Sequence, residues 1–164
     1  MTAISVSPLL AVATGLLGST WASGAMASLT IAGIPAARAF PKTAAQTWAI
    51  LFARGLAVIP PTAVGAALFY GYAAWDASSR PQSQWSYFAT AAAFSAGVVP
   101  FTLIFMGATN DKLHAVANGV SVLSDASVLG LVDKWGWLNL VRSTLPLTAT
   151  LVAGYGLFQE LGLY

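Results

Sequence analysis

Two short groups combine side chains that could do chemistry in a chain that is 57% hydrophobic. One is T-N-D-K-L-H at residues 109–114, and the other is K-W-G-W-L-N-L-V-R at residues 134–142. The first group ends in His114, the only histidine of the chain. Imidazole is the side chain that most readily gains and loses a proton near neutral pH, which suits general-base chemistry.

Helical spacing would place the polar residues of each group on one face. Asn110 and His114 are four residues apart, and Trp135, Asn139 and Arg142 follow at offsets of four and seven. Taken singly, such residues are typical of helix caps and of side chains that reach lipid phosphates. The convergence of a histidine, asparagines and an arginine at one end of the helices is better evidence for a site than any one of these residues alone.

Residue counts and missing motifs limit the cofactors. The chain has no cysteine and one histidine, whereas zinc sites and two-histidine iron sites need more ligands. The sequence lacks the glycine-rich signatures of Rossmann and P-loop nucleotide binding and the G-x-S-x-G nucleophile elbow. We therefore expect an enzyme that works without a metal site, although these counts leave open a haem bound through a single histidine.

Composition indicates the environment in which these groups must be positioned. The 164 residues are 57% hydrophobic and only 7% charged, whereas soluble domains carry roughly 25% charged residues. A spanning helix needs about 20 apolar residues, and four stretches qualify, near residues 8–34, 55–75, 87–107 and 140–161. The sequence predicts an all-α integral membrane protein, a four-helix bundle formed by residues 1–164 as a single domain.

The connections between the predicted spans differ in length and charge. The third, at about residues 108–139, is the longest and predicts one or two short helices at the membrane surface. Loops one and three, with the start of span four, hold six of the seven Lys and Arg residues, and loop two holds only Arg80. The positive-inside rule then places loops one and three in the cytoplasm. The low charge gives no indication of nucleic-acid binding.

The polar groups and the segment before them resemble a known family. The run P-F-T at residues 100–102, T-N-x-x-L at 109–113 and W-x-x-x-N-x-x-R at 135–142 occur in the order typical of the anthrone oxygenase family. Its members are small four-span membrane proteins of fungal aromatic polyketide pathways. The resemblance implies a monooxygenase that converts an anthrone to an anthraquinone with dioxygen and no recognised cofactor. It implies a multi-pass protein of the endoplasmic reticulum or another endomembrane.

For this oxidation of an anthrone, the resemblance implies roles for individual residues. His114 would be the base, oriented by Asp111, while Arg142 and Asn110 would donate hydrogen bonds to the substrate oxyanion. The flat apolar substrate would contact Trp21, Trp135, Asn139, Phe101 and Phe105.

A second function class stays open from the sequence. A non-catalytic four-helix membrane scaffold or a small transporter-like protein needs only packing, and the small-residue stripe Gly15, Ser19, Ser23 and Ala27 would serve it. The sequence also leaves open whether several copies assemble into a homo-oligomer.

Overall fold

The computed structural model describes residues 6–163, and within that range the chain forms helices and no strands. There are four long helical segments: α1, Val6–Arg38; α2, Pro41–Ser78; α3, Trp85–Ala117; and α4, Asp125–Glu160. The predicted all-α class is confirmed.

Three of these segments, α1, α2 and α3, are long and apolar enough to cross a membrane. The fourth predicted span, residues 140–161, lies inside α4. Within the described residues, α4 does not meet the same requirement of length and apolar character. Arg142 and a series of hydroxyl residues interrupt its apolar run.

Both α1 and α3 contain a π-helical turn next to a proline. In α1 the turn is Leu29–Gly33, between the α-helices Val6–Ser28 and Ile34–Arg38. In α3 the turn is Thr102–Met106, preceded by Trp85–Ala96 and Val98–Phe101 and followed by Gly107–Ala117. Proline lacks an N–H and crowds the preceding turn. This accounts for the π-helical turn before Pro35 in α1 and for the interruption of α3 at Gly97, three residues before Pro100. The π-helical turn of α3 follows Pro100 instead.

The second segment, α2, stays regular through its prolines. It begins with a 3₁₀ turn, Pro41–Thr43, and continues as the α-helix Ala44–Ser78 with Pro60 and Pro61 inside it.

The predicted long third connection with short surface helices is wrong. Residues 107–117 continue α3 and α4 begins at Asp125, so the connection is only residues 118–124. Gly119 ends α3 at a φ of +71°, and the N–H of Val120 donates to the carbonyl of Ala115 at 2.8 Å. This arrangement is a Schellman cap, which satisfies the last carbonyls of the helix.

The chain divides into two compact units, each built from a piece of all four helices. Unit 1 contains residues 6–23, 60–98 and 144–163 of the described chain, and unit 2 contains residues 24–59 and 99–143.

The core of unit 1 consists mainly of small side chains around Val12, Tyr70 and Phe88. Small residues let helix backbones approach closely. A Cβ placed on Gly15 would lie 2.6 Å from the Tyr70 ring, so α1 and α2 fit tightly there. The Ser19 hydroxyl contacts the Tyr70 hydroxyl at 2.8 Å and that of Thr150 at 2.7 Å.

Unit 1 also pairs its charged groups. Glu160 accepts hydrogen bonds from Arg80 Nη1 at 2.9 Å and from the backbone N–H of Gln84 at 2.6 Å. Arg80 Nη2 lies 3.4 Å from Asp76. These contacts connect the loop after α2 to the end of α4.

Candidate functional site

The second polar group forms the buried polar centre of unit 2. Trp135, Asn139 and Arg142 are all buried on α4, and their spacing places them along one helical face. The predicted helical placement of both polar groups is confirmed, and both belong to the same unit.

Asn139 is fully buried, and each of its polar atoms has a partner. Its Nδ2 donates to the Met26 carbonyl at 2.7 Å and to the Thr30 hydroxyl at 2.9 Å. Its Oδ1 accepts from Arg142 Nη2 at 2.7 Å, and the Thr30 hydroxyl donates to the Gly136 carbonyl at 3.1 Å. The side-chain hydrogen bonds of Asn139 are thus made within the protein, and its contact with a substrate stays a prediction.

Arg142 is a buried cation whose partners are both neutral. Its side chain is 7% exposed, its Nη1 donates to the Thr102 hydroxyl at 2.6 Å, and its Nη2 donates to Asn139. Within residues 6–163, no carboxylate lies at ion-pair distance from it, and its Nε has no hydrogen-bond partner. A buried charge without a counter-ion is costly, so this position favours the binding of an anion.

The first polar group contains both buried and exposed side chains. Asn110 is 8% exposed, and its Oδ1 has no partner among the described residues. Asp111 is exposed, and no hydrogen bond or ion pair joins it to His114. The expected orientation of His114 by Asp111 is therefore not observed, because the carboxylate faces outward on the helix.

His114 lies instead among aromatic rings. Its ring centroid is 4.9 Å from that of Trp48, at 66° between planes, and 4.9 Å from that of Phe52, at 84°. Trp48 also packs edge-on against Trp135 at 5.9 Å. Trp48 thus connects the residues of the two polar groups. The indole Nε1 atoms of Trp48 and Trp135 are buried with no partner in the described chain.

Comparison with known proteins assigns this arrangement to a family. The sequence profile described as anthrone oxygenase matches residues 48–152, which include Trp48, His114 and Arg142. The chain belongs to the anthrone oxygenase family. The family predicted from the sequence is confirmed, and with it the prediction of an oxygenase.

Individual relatives match over most of their length. An anthrone oxygenase of Paecilomyces divaricatus, AgnL2, is 28% identical over 88% of this chain and 93% of its own. The monooxygenase hypC of Dothistroma septosporum is 34% identical over 84% of this chain and 77% of its own. A noranthrone monooxygenase of Aspergillus flavus is 34% identical over 86% of this chain and 70% of its own. No solved structure matches the chain.

The aromatic substrate contacts predicted for this anthrone oxygenase family member belong to both units. Phe101 is half-buried in unit 2 and packs on Phe105 at 4.9 Å, but Phe105 is 58% exposed. Trp21 is 51% exposed and belongs to unit 1. There it lines an open apolar groove of about 790 Å³ with Leu17 and Thr62. The structure therefore groups Trp135 and Phe101, but not Trp21, with Arg142 in unit 2.

Sequence reasoning missed the residues that hold this site together. Trp48 falls near a predicted span end, where it suggests an interfacial anchor, but it is fully buried. Its i,i+4 spacing with Phe52 on α2 is the signal for a shared aromatic face. Thr30 and Thr102 gave no such signal, although Pro100 marked the irregular turn that carries Thr102. No three histidine or carboxylate side chains between residues 6 and 163 come close enough together to hold a metal ion.

Proposed function

We propose that the chain oxidises an anthrone to the corresponding anthraquinone with dioxygen, and that Arg142 stabilises the anionic form of the substrate. The observation that carries this proposal is the buried guanidinium of Arg142 with neutral partners only. Relatives named anthrone oxygenase and noranthrone monooxygenase support the substrate class.

An arginine in this position suits the first step of the reaction. An anthrone carries an acidic CH2 group opposite a ring carbonyl, and loss of a proton places negative charge on the carbonyl oxygen. A charge-assisted hydrogen bond in a site without bulk water favours that oxyanion over the neutral ketone. Arg142, with Asn110 beside His114 on α3, is the proposed binding group for this oxygen.

His114 is the proposed base that accepts the proton. The resulting imidazolium lies against Trp48 and Phe52 at 4.9 Å between ring centroids, within the roughly 6 Å over which aromatic rings attract a cation. These rings serve in place of the expected carboxylate of Asp111.

The remaining steps balance without a further reactant. The anthrolate transfers one electron to dioxygen, and the carbon radical and superoxide combine to form a C–O bond. Protonation gives a hydroperoxide, and loss of the remaining C–H proton with cleavage of the O–O bond releases water and leaves the second carbonyl. One anthrone and one dioxygen thus give one anthraquinone and one water.

The proposal includes a four-helix bundle in an endomembrane, with α4 as the fourth span. Two observations support it: Thr150 on α4 hydrogen-bonds Ser19 on the apolar segment α1, and each unit takes residues from all four helices. Six of the seven Lys and Arg residues belong to unit 2. With the positive-inside rule, this distribution supports loops one and three in the cytoplasm.

Topology can be measured cleanly because the chain has no cysteine. Val122, in the connection before α4, is 93% exposed, and Ser79 is exposed after α2. We expect a membrane-impermeant maleimide to label Val122→Cys from the cytoplasmic side and Ser79→Cys from the opposite side. Labelling of both from one side would mean that α3, the helix between these two positions, does not cross the membrane.

Activity tests the proposed chemistry. We expect Arg142→Leu and His114→Ala each to lower kcat for anthrone oxidation by about 100-fold, the typical effect of removing an oxyanion donor or a general base. Oxygen uptake and quinone absorbance measure this in detergent, with empty micelles to correct for autoxidation. Arg54→Leu, an exposed cation of the same unit, is the matched control. Parental rates in both variants would refute the assigned site.

A further inference from the structure

The contacts of Arg142 fix its position without neutralising its charge. Both hydrogen-bonded side chains, Thr102 at 2.6 Å and Asn139 at 2.7 Å, present neutral oxygens. A guanidinium is planar with a rigid fork of donors. Contacts at Nη1 and Nη2 therefore also set the direction of the Nε–H, which is buried and unpartnered among the described residues.

These neutral partners are themselves held from two other helices. Asn139 is anchored by the Met26 carbonyl and the Thr30 hydroxyl of α1, and Thr102 belongs to α3. Thr30 lies on the π-helical turn Leu29–Gly33, and Thr102 begins the π-helical turn Thr102–Met106. π-Helical turns are frequent at functional sites, and here each supplies one hydroxyl to the same network.

We infer that Thr102 and Asn139, with Thr30 behind Asn139, are positioning residues that keep Arg142 oriented and uncompensated, so that the site selects the anion of a planar aromatic ligand over a neutral ligand of the same shape. The inference rests on the proposed function, which it deepens by naming the ionised substrate form that the protein recognises. A carboxylate in place of either neutral partner would hold the guanidinium equally well but cancel its charge.

Binding tests the inference without turnover. The probes are 9-anthracenecarboxylate, a planar anion with its charge at the central ring, and neutral 9-anthracenemethanol. Quenching of tryptophan fluorescence in zwitterionic micelles measures both affinities, with empty micelles as the correction for partitioning. We expect the parental protein to prefer the anion by about tenfold or more, as one charge-assisted hydrogen bond allows.

Three variants of α3 make the binding test specific. Thr102→Val removes the hydroxyl at nearly constant volume, and we expect it to lose the preference for the anion as Arg142→Leu does. Thr102→Ser keeps the hydroxyl, and we expect it to keep the preference. Thr90→Val, an exposed position on the same segment, is the control and should match the parental protein. An unchanged preference in Thr102→Val would overturn the inference.

Turnover of Thr102→Asp separates positioning from simple structural support. The aspartate still accepts a hydrogen bond from Arg142 but adds a negative charge. We expect thermal unfolding at or above the parental temperature, with kcat for anthrone lowered about 100-fold and Thr102→Ser within about threefold of the parental rate. A purely structural threonine predicts that Thr102→Asp stays active, and that result would overturn the inference.

Failure of the two proposals gives different patterns. If the parental protein prefers the anionic probe but oxidises no anthrone, the proposed function fails and the positioning network stands. If anthrone is oxidised while Thr102→Val and Thr102→Asp behave as the parental protein does, the proposed function stands and the positioning role is refuted.

Discussion

Units 1 and 2 both bury polar groups, but they differ in whether a buried charge has a partner of opposite charge. In unit 1 the buried Glu160 is paired with Arg80, and the internal network of Ser19, Tyr70 and Thr150 consists of neutral hydroxyls. In unit 2 the buried Arg142 has only neutral partners. Paired buried groups serve the fold, whereas an uncompensated charge lowers stability and persists where a ligand uses it. This contrast is the reason why the proposed chemistry is assigned to unit 2.

The largest stability effect is expected at the charge cluster of unit 1. Glu160→Ala removes the ion-pair partner of Arg80 and the hydrogen-bond acceptor of the Gln84 N–H. The side chains of Arg80 and Glu160 are only 16% and 6% exposed. We expect the free energy of unfolding to fall by about 3 kcal/mol, measured by thermal or denaturant unfolding in detergent. The rate per folded molecule should stay at the parental value. A loss of specific activity at full folding would place chemistry in unit 1 and break the contrast.

A smaller effect is expected where α1 packs on α2. Gly15→Ala places a Cβ 2.6 Å from the Tyr70 ring, and such overpacking costs about 2 kcal/mol. Gly24→Ala, on the same helix with open space around it, is the matched control and should stabilise the protein slightly because alanine is the better helix former. Equal melting temperatures for the two variants would mean that the close approach does not contribute to stability.

The hydroxyl network of unit 1 should contribute less again. Tyr70→Phe keeps the ring but removes one partner of Ser19, which retains Thr150. We expect about 1 kcal/mol of destabilisation and no change in kcat. Anthrone oxidation that falls with Tyr70→Phe would show that this hydroxyl takes part in proton transfer.

The smallest stability effect, and the sharpest contrast, is expected for Arg142→Leu. Removing an uncompensated buried cation should offset the loss of its hydrogen bonds to Thr102 and Asn139, so the free energy of unfolding should change by less than about 1 kcal/mol, while activity falls as stated above. Substantial unfolding of Arg142→Leu would instead make the arginine a structural element and remove the difference between the units.

Periodicity and composition predicted the helical class and the shared faces of Asn110 with His114 and of Trp135 with Arg142. They failed for the third connection because the thickness of the bilayer sets the length of an apolar run. It does not set the length of the helix that contains that run. Residues 107–117 and 125–139 are polar extensions of α3 and α4, and Gly119 is the local signal that marks the true end of α3.

The partners of the site residues were beyond a local pattern. Asn139 meets Thr30 across 109 positions of sequence, and Arg142 meets Thr102 across 40. Likewise, the residues next to a tryptophan in sequence are apolar both at a membrane interface and in a protein core. Only tertiary packing therefore identifies Trp48 as a neighbour of His114.

The wide turn at Thr102–Met106 also sets the rotational phase of everything after it on α3. If the same residues wound as an ordinary α-helix, residues 107–117 would swing about 100° around the helix axis, because a π-turn holds about one residue more than the 3.6 of an α-turn. The imidazole would then leave its aromatic surroundings although no residue of the site had changed. We therefore expect a one-residue insertion or deletion to be tolerated in the connection at residues 118–124 and to be damaging at residues 107–113, between the wide turn and His114.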